Sequence, residues 1–96
     1  MSQAAYVVGH ITILDPLLWA EYKARVPDTL APFAAELMLR GQHGQALAGS
    51  HPHTDIVCIR FADPEQARAW HDSPAYQALV PLRQRAARVD LMLHES

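Results

Sequence analysis

The chain has 96 residues, of which half are apolar and 19% are charged, and its net charge is −2 at pH 7. This length and composition predict one globular domain spanning residues 1–96. The sequence has no block of basic residues, which argues against nucleic-acid binding, and no apolar stretch approaching ~20 residues, which argues against a membrane-spanning helix.

The first predicted strand covers residues 4–14, where β-branched residues alternate with a period of two. Asp15 and Pro16 then predict the start of a helix. The carboxylate can accept hydrogen bonds from the first free amides, and proline fits at the first helical position. Aromatic and apolar residues follow at helical spacing, and Pro27 predicts a kink or a restart of this helix.

The middle of the chain predicts two further strands. Residues 36–40 are expected to form a short second strand that continues over residues 45–48 after a turn. Residues 49–54 have the composition of a loop. Residues 56–61 form the third predicted strand, which contains Cys58, the only cysteine. One thiol inside an apolar run favours a reducing compartment. The N-terminus lacks the features of a signal peptide, so a cytoplasmic protein is expected.

The second half of the chain repeats the pattern of the first. Asp63 and Pro64 give the same helix-start signal as Asp15 and Pro16, half the chain length later. A second short helix is predicted from Ser73 through Arg83, and the last strand covers residues 89–94. The order β-α-β-β-α-β predicts an α+β, ferredoxin-like sandwich with antiparallel sheet order 4-1-3-2 and both helices on one face.

Each of the three long strands has one wholly apolar face and one mixed face. The mixed face consists of Tyr6, Val8, His10 and Thr12 of the first strand, Ile56, Cys58 and Arg60 of the third, and Asp90, Met92 and His94 of the fourth. Such a surface is too apolar to face water and too polar for a dry core. We therefore expect it to pack against a partner sheet, in a homodimer, or to enclose a ligand.

Short motifs spread over nearly the whole chain resemble those of a known protein family. They are Ala5-Tyr6-Val7-Val8, Asp15-Pro16, Glu21-Tyr22, Arg25-Val26-Pro27, Arg40-Gly41, Ala67-Arg68-Ala69-Trp70, Asp72-Ser73-Pro74-Ala75-Tyr76-Gln77, Leu82-Arg83-Gln84 and Ala86-Ala87-Arg88. Together they resemble the domain of unknown function 1330 family. The resemblance implies a dimeric α/β barrel, in which two ferredoxin-like sheets pack face to face, and it implies no established reaction. Other families with that barrel include oxygenases, isomerases and dehydratases, which is an analogy of fold.

Five positions depart from the pattern of that family. His10 stands where an acidic residue is expected on the first strand, and Arg60 stands where Glu is usual on the third. Gln42 replaces a glycine, Gln45 replaces a glutamate, and His71 replaces an aromatic residue. Any family chemistry that uses those carboxylates therefore cannot proceed in the same way here.

His10 and Arg60 are the candidate catalytic residues. Both lie on the mixed face, where Asp90 or His94 could complete a polar cluster. An imidazole there could act as a general base while the guanidinium held an enolate or carboxylate. The alternative is a hydrogen-bonded network that only fixes the register of a dimer. Tyr6 belongs to the same candidate ligand-binding surface.

Three further residues, Trp70, Tyr76 and Arg83, are candidates for the entrance of a ligand pocket, where they would grip an anionic, partly apolar molecule. The alternative is that the two aromatic rings are core residues, because aromatic stripes at helical spacing usually are.

His43, His51 and His53 lie near the second strand, in Gly- and Pro-bearing segments without a cysteine or a carboxylate pair nearby. Specific metal binding requires ligands that converge from rigid positions, so no metal site is predicted here. No motif for a haem or another cofactor is present, and no cofactor is expected.

Three functions remain open. The first is an uncharacterised small dimeric protein that binds an anionic or aromatic ligand in the cleft between sheet and helices. The second is a cofactor-independent enzyme of the oxygenase or isomerase type, acting on a small carbonyl or aromatic compound. The third is a purely structural or interaction domain. A cleft lined by His10, Arg60 and Tyr76 would favour the first two.

Overall fold

The fold is an antiparallel sheet with helices on one side, in a computed structural model that describes residues 3–96. The elements are β1 (Ala5–Ile13), α1 (Pro16–Leu30), a short 3-10 helix (Ala31–Phe33), β2 (Glu36–Gln42), β3 (Asp55–Phe61), α2 (Pro64–Asp72), α3 (Pro74–Gln77), α4 (Val80–Ala86) and β4 (Ala87–Glu95). The strand order is β2-β3-β1-β4, and every neighbouring pair is antiparallel. This is the predicted ferredoxin-like order, read from the opposite edge.

The core lies between the helices and the apolar face of the sheet. Along β1, buried residues alternate with half-buried ones because successive side chains point to opposite faces. Val7 and Ile11 of β1 and Ile59 and Phe61 of β3 are buried against the helices. Among residues 3–96 no helix covers the mixed face, and Met92 on it is half-exposed. The separation of the two faces is as predicted.

Both predicted helix caps are present. The Asp15 carboxylate accepts hydrogen bonds from the backbone amides of Leu17 and Leu18, at 3.0 and 3.1 Å. The Asp63 carboxylate accepts one from the amide of Gln66, at 2.8 Å. These bonds satisfy amides that have no partner inside the helix, and each cap is followed directly by a proline.

Removing either cap should destabilise the fold modestly. We expect Asp63→Ala and Asp15→Ala each to lower the free energy of unfolding by about 1 kcal/mol, because the first-turn amides lose their acceptor. Urea denaturation would measure the effect. Asp63→Asn is the matched control, since its amide oxygen keeps the acceptor and should retain most of the stability. Equal stability of Asp63→Ala and wild type would contradict this role.

Three local predictions are corrected by the structure. Of the two outcomes predicted at Pro27, a kink or a restart, the restart does not occur: α1 runs on through Pro27 to Leu30, with Val26 and Thr29 buried on either side of the proline. Residues 45–48 are not a strand, because pairing with β3 ends at Gln42 and the following residues are exposed.

The helix predicted from Ser73 through Arg83 is two helices, α3 and α4. They are separated at Ala78 and Leu79, and Pro81 lies in the first turn of α4. Proline has no amide proton to continue the helical ladder, so a new helix begins there instead. No helix within residues 3–96 has the length and apolar character needed to cross a membrane.

Candidate functional site

The structure divides the six predicted site residues into two groups on opposite sides of the sheet. Tyr6, His10 and Arg60 lie on the mixed face, whereas Trp70, Tyr76 and Arg83 belong to the helical layer. Because the sheet lies between them, Tyr76 does not line one cleft together with His10 and Arg60, the arrangement that would have favoured a ligand-binding or enzymatic function.

His10 and Arg60 are also separated along the mixed face. In the register of the sheet, Tyr6 lies between Arg60 and His94, and His10 lies between Ile56 and Asp90. Four residues of an extended strand separate the two positions, which is roughly 13 Å. His10 and Arg60 are therefore not neighbours in the sheet, although both belong to the mixed face.

Trp70 and Tyr76 are core residues. Their exposed fractions are 1% and 0%, and their ring centres are 4.2 Å apart. The Trp70 indole N–H donates a hydrogen bond to the Thr29 hydroxyl at 3.0 Å. Both rings are therefore buried in the core, which was the alternative to a place at a pocket entrance.

Arg83 ends a buried chain of polar side chains. Its guanidinium donates to the Tyr76 hydroxyl at 2.8 Å, and that hydroxyl is 2.9 Å from the hydroxyl of Tyr22. Burial raises the pKa of Tyr22 well above its usual range, and the neighbouring Tyr76 adds to the shift, while Arg83 opposes it. The Tyr22 phenol therefore stays neutral at physiological pH. The hydrogen bonds between Tyr22, Tyr76 and Arg83 link α1, α3 and α4.

A cavity of about 310 Å³ lies between α1 and the apolar face of the sheet. Its wall on the helix side includes Trp19, Tyr22 and Val26, and its wall on the sheet side includes Val57 and Leu91. The sequence showed these residues as core positions and gave no sign that they enclose empty space. A cavity of this size and apolar character is typical of small-molecule sites.

Gly9 of β1 lies directly against two of the residues that line the cavity. A Cβ at this position would lie 2.9 Å from Cγ1 of Val57 and 3.3 Å from Cδ1 of Leu91. Both of those side chains line the cavity. Because Gly9 has no side chain, Val57 and Leu91 can pack closely against β1. A larger residue at position 9 would push these two side chains toward the cavity.

Three charged residues lie among the residues that line the cavity: Lys23 of α1, Arg40 of β2 and Asp55 of β3. The Asp55 carboxylate accepts a hydrogen bond from the Thr54 hydroxyl at 2.8 Å. Arg40 is exposed and Lys23 is partly buried. The charged lining thus has two cations and one anion around an otherwise largely apolar space.

At one end of the mixed face, the structure brings together polar side chains whose contacts the sequence did not predict. His53 is buried, with Nδ1 3.0 Å from the Thr12 hydroxyl and Nε2 2.6 Å from the Asp90 carboxylate. These contacts hold the loop after β2 against the end of the mixed face. His51 is thereby placed beside His10, with their ring centres 5.1 Å apart.

Comparison with known proteins finds a family model that matches the chain and solved structures of similar fold. Residues 4–96 match the family described as "Domain of unknown function (DUF1330)". No curated protein matches the chain.

Solved structures with low sequence identity share the fold. RPA0582, a protein of unknown function from Rhodopseudomonas palustris, is 14% identical with a TM-score of 0.78, over 100% of this chain and 84% of that one. SnoaB, a cofactor-independent oxygenase from Streptomyces nogalater, is 10% identical with a TM-score of 0.72, over 99% and 94%. A dimeric ferredoxin-like protein of unknown function from Thermobifida fusca is 10% identical with a TM-score of 0.67, over 100% and 93%.

Proposed function

The chain belongs to the family described as "Domain of unknown function (DUF1330)", and we propose that it is a homodimeric protein that binds a small, partly apolar anion in the cavity beneath α1. The observation that carries this proposal is the cavity itself. About 310 Å³ of space is enclosed largely by apolar and aromatic side chains, with Lys23 and Arg40 among the lining residues. The match over residues 4–96 confirms the family predicted from the sequence motifs. The description of that family implies no reaction.

The chemistry of the lining favours an aromatic or aliphatic carboxylate. The rings of Trp19 and Tyr22 offer flat apolar surface, and they stack on each other with their centres 5.0 Å apart. The Arg40 guanidinium can hold a carboxylate through two parallel hydrogen bonds, and the Lys23 ammonium adds a second positive charge. Asp55 disfavours a ligand with several negative charges by repulsion.

Dimerisation through the mixed face is the second part of the proposal. Val8 and Cys58 on this face are only half-buried, and Met92 beside them is half-exposed. Similar structures include proteins described as dimeric and ferredoxin-like, from Thermobifida fusca and Jannaschia sp. CCS1. A two-fold contact would cover this patch on both copies at once.

Likeness to the Streptomyces nogalater oxygenase is a likeness of fold, so the proposal concerns binding and not a reaction.

Binding of a monocarboxylate should depend on the cavity cations. We expect calorimetric titration with a panel of aromatic and aliphatic monocarboxylic acids to find ligands, and Arg40→Ala to weaken their binding roughly tenfold to hundredfold. The reason is the loss of a charge-assisted hydrogen bond. Ala35→Phe should abolish binding, because Ala35 lines the cavity and a ring there would occupy it.

Arg25→Ala is the matched control for Arg40→Ala. Arg25 is an exposed arginine of α1 that pairs with Glu21 at 2.8 Å and does not line the cavity. Its removal should leave the affinity unchanged. The proposal fails if no acid of the panel binds at about 1 mM, or if Ala35→Phe binds ligands as wild type does.

A further inference from the structure

The hydroxyl groups of Tyr22 and Tyr76 form a buried pair on the helix side of the sheet. Their oxygen atoms lie 2.9 Å apart, and a guanidinium N–H of Arg83 donates to the Tyr76 oxygen at 2.8 Å. Both tyrosines belong to the core. A buried phenol needs an acceptor for its proton, because an unsatisfied donor that is removed from water costs free energy.

One proton of this hydroxyl pair has no acceptor within the chain. Two O–H protons are present, and the single contact between the two oxygens uses only one of them. Arg83 cannot accept the other proton, because a guanidinium is purely a donor. Among residues 3–96, neither hydroxyl donates to any other group. One O–H proton is therefore left for an acceptor that does not belong to these residues.

The Tyr22 hydroxyl is the favoured place for this proton. Tyr22 lines the cavity, whereas Tyr76 is fully buried and does not line it. An acceptor in the cavity therefore meets Tyr22 first. The positive charge of Arg83 favours the same arrangement, because it polarises the Tyr76 hydroxyl into a stronger donor toward the Tyr22 oxygen. The hydrogen bonds then run from Arg83 to Tyr76, from Tyr76 to Tyr22, and from Tyr22 into the cavity.

A neutral oxygen is the acceptor that suits this donor. Burial keeps the pKa of Tyr22 well above its usual range, so the phenol retains its proton and carries no charge. It cannot compensate the charge of a second buried anion, which would be costly. Asp55, also among the lining residues, opposes further negative charge as well. A carbonyl oxygen is uncharged and has lone pairs available for such a donor.

We propose that the Tyr22 hydroxyl donates a hydrogen bond to a ketone oxygen of the ligand, so that the cavity selects keto acids over simple carboxylic acids. This inference rests on the proposed function, in which Arg40 and Lys23 bind the carboxylate. Tyr22 determines specificity in this arrangement, because an acid without the ketone leaves the buried O–H proton unpaired.

Pairs of acids in which a methylene group replaces the ketone would test this selectivity. β-Benzoylpropionate and γ-phenylbutyrate form one pair. Phenylpyruvate and hydrocinnamate form another, with the ketone closer to the carboxylate. In calorimetric titrations, we expect at least one keto acid to bind wild type about 5- to 100-fold more tightly than its parent acid. Tyr22→Phe should lose this preference and bind the parent acids at least as tightly as wild type, because phenylalanine keeps the ring and removes only the hydroxyl.

The infrared spectrum of the bound ketone gives a readout that a purely structural role of Tyr22 would not change. With a heavy carbon isotope at the ketone carbon, the stretching frequency should be lower in wild type than in Tyr22→Phe, because a hydrogen bond weakens the carbonyl double bond. Tyr76→Phe is the matched control for disturbance of the hydroxyl pair, since it removes one hydroxyl of the same contact and keeps that of Tyr22. It should retain both the preference for keto acids and the lowered frequency.

The possible outcomes separate this inference from the cavity proposal. Binding of the parent acids without a preference for keto acids in wild type would overturn the role of Tyr22 and leave the cavity proposal standing. The same holds if Tyr22→Phe keeps the preference or the ketone frequency of wild type, or if Tyr76→Phe loses the preference as completely as Tyr22→Phe. If no acid of these pairs or of the wider panel binds at about 1 mM, both proposals fail.

Discussion

Replacing Trp70 by alanine should lower the free energy of unfolding by about 3–5 kcal/mol, the range for deleting a buried tryptophan. Trp70 is 1% exposed, and its ring packs between Phe61 and Tyr76, with ring centres 5.6 and 4.2 Å away. The substitution also leaves the buried Thr29 hydroxyl without its indole donor. Domains of this size have only about 5–15 kcal/mol of stability, so much of the fold's stability would be lost.

Urea denaturation of Trp70→Ala, Trp70→Phe and Leu17→Ala would separate the contributions. Trp70→Phe keeps an aromatic ring but removes the N–H donor, so it should fall between wild type and Trp70→Ala. Leu17 is an apolar residue that is 84% exposed, and its truncation should change the free energy of unfolding by less than ~0.5 kcal/mol. A loss below about 1 kcal/mol for Trp70→Ala would show that the ring is not part of the core.

Replacing Val8 by aspartate should convert the proposed dimer into monomers. Val8 lies at the middle of the mixed face, between Cys58 of β3 and Met92 of β4. In a two-fold contact across this face, each copy would bury one unpaired carboxylate. Burial of a charge without a partner costs several kcal/mol, and the cost is incurred twice in every dimer. The dissociation constant should therefore rise by more than ~100-fold.

Sedimentation velocity at micromolar concentration would measure this effect. Wild type should sediment as a dimer, whose contact we expect to bury more than ~1,000 Å² in total. Leu17→Asp is the matched control, because Leu17 is exposed in the first turn of α1 and is not part of the mixed face. It should remain dimeric. A monomeric wild type, or a dimeric Val8→Asp, would contradict dimerisation through the mixed face.

Local sequence signals predicted the elements of this fold well. The caps at Asp15 and Asp63, the period-two alternation of β1 and the order of strands and helices all agree with the structure. These features depend on a residue and its near neighbours in the chain. The misplaced details, such as the helix that continues through Pro27, arose where tertiary packing outweighed a local preference.

The candidate sites depended on more than residue types. The mixed face was correctly assigned from alternation alone, yet His10 and Arg60 on it lie four residues apart in the register. Alternation specifies the face to which a side chain points, whereas the pairing of strands specifies its neighbours. That pairing also explains why Tyr6, and not His10, lies beside Arg60.

The sequence by itself determined the family, the order of the elements and the two faces of the sheet, because these follow from motifs and short-range periodicity. Tertiary structure alone decided that a cavity lies beneath α1 and that His43 and His51 reach His10. Both depend on how distant segments pack. A cavity is a volume that packing leaves unfilled, and the histidine cluster joins residues separated by a loop whose path is fixed by the contacts of His53 with Thr12 and Asp90.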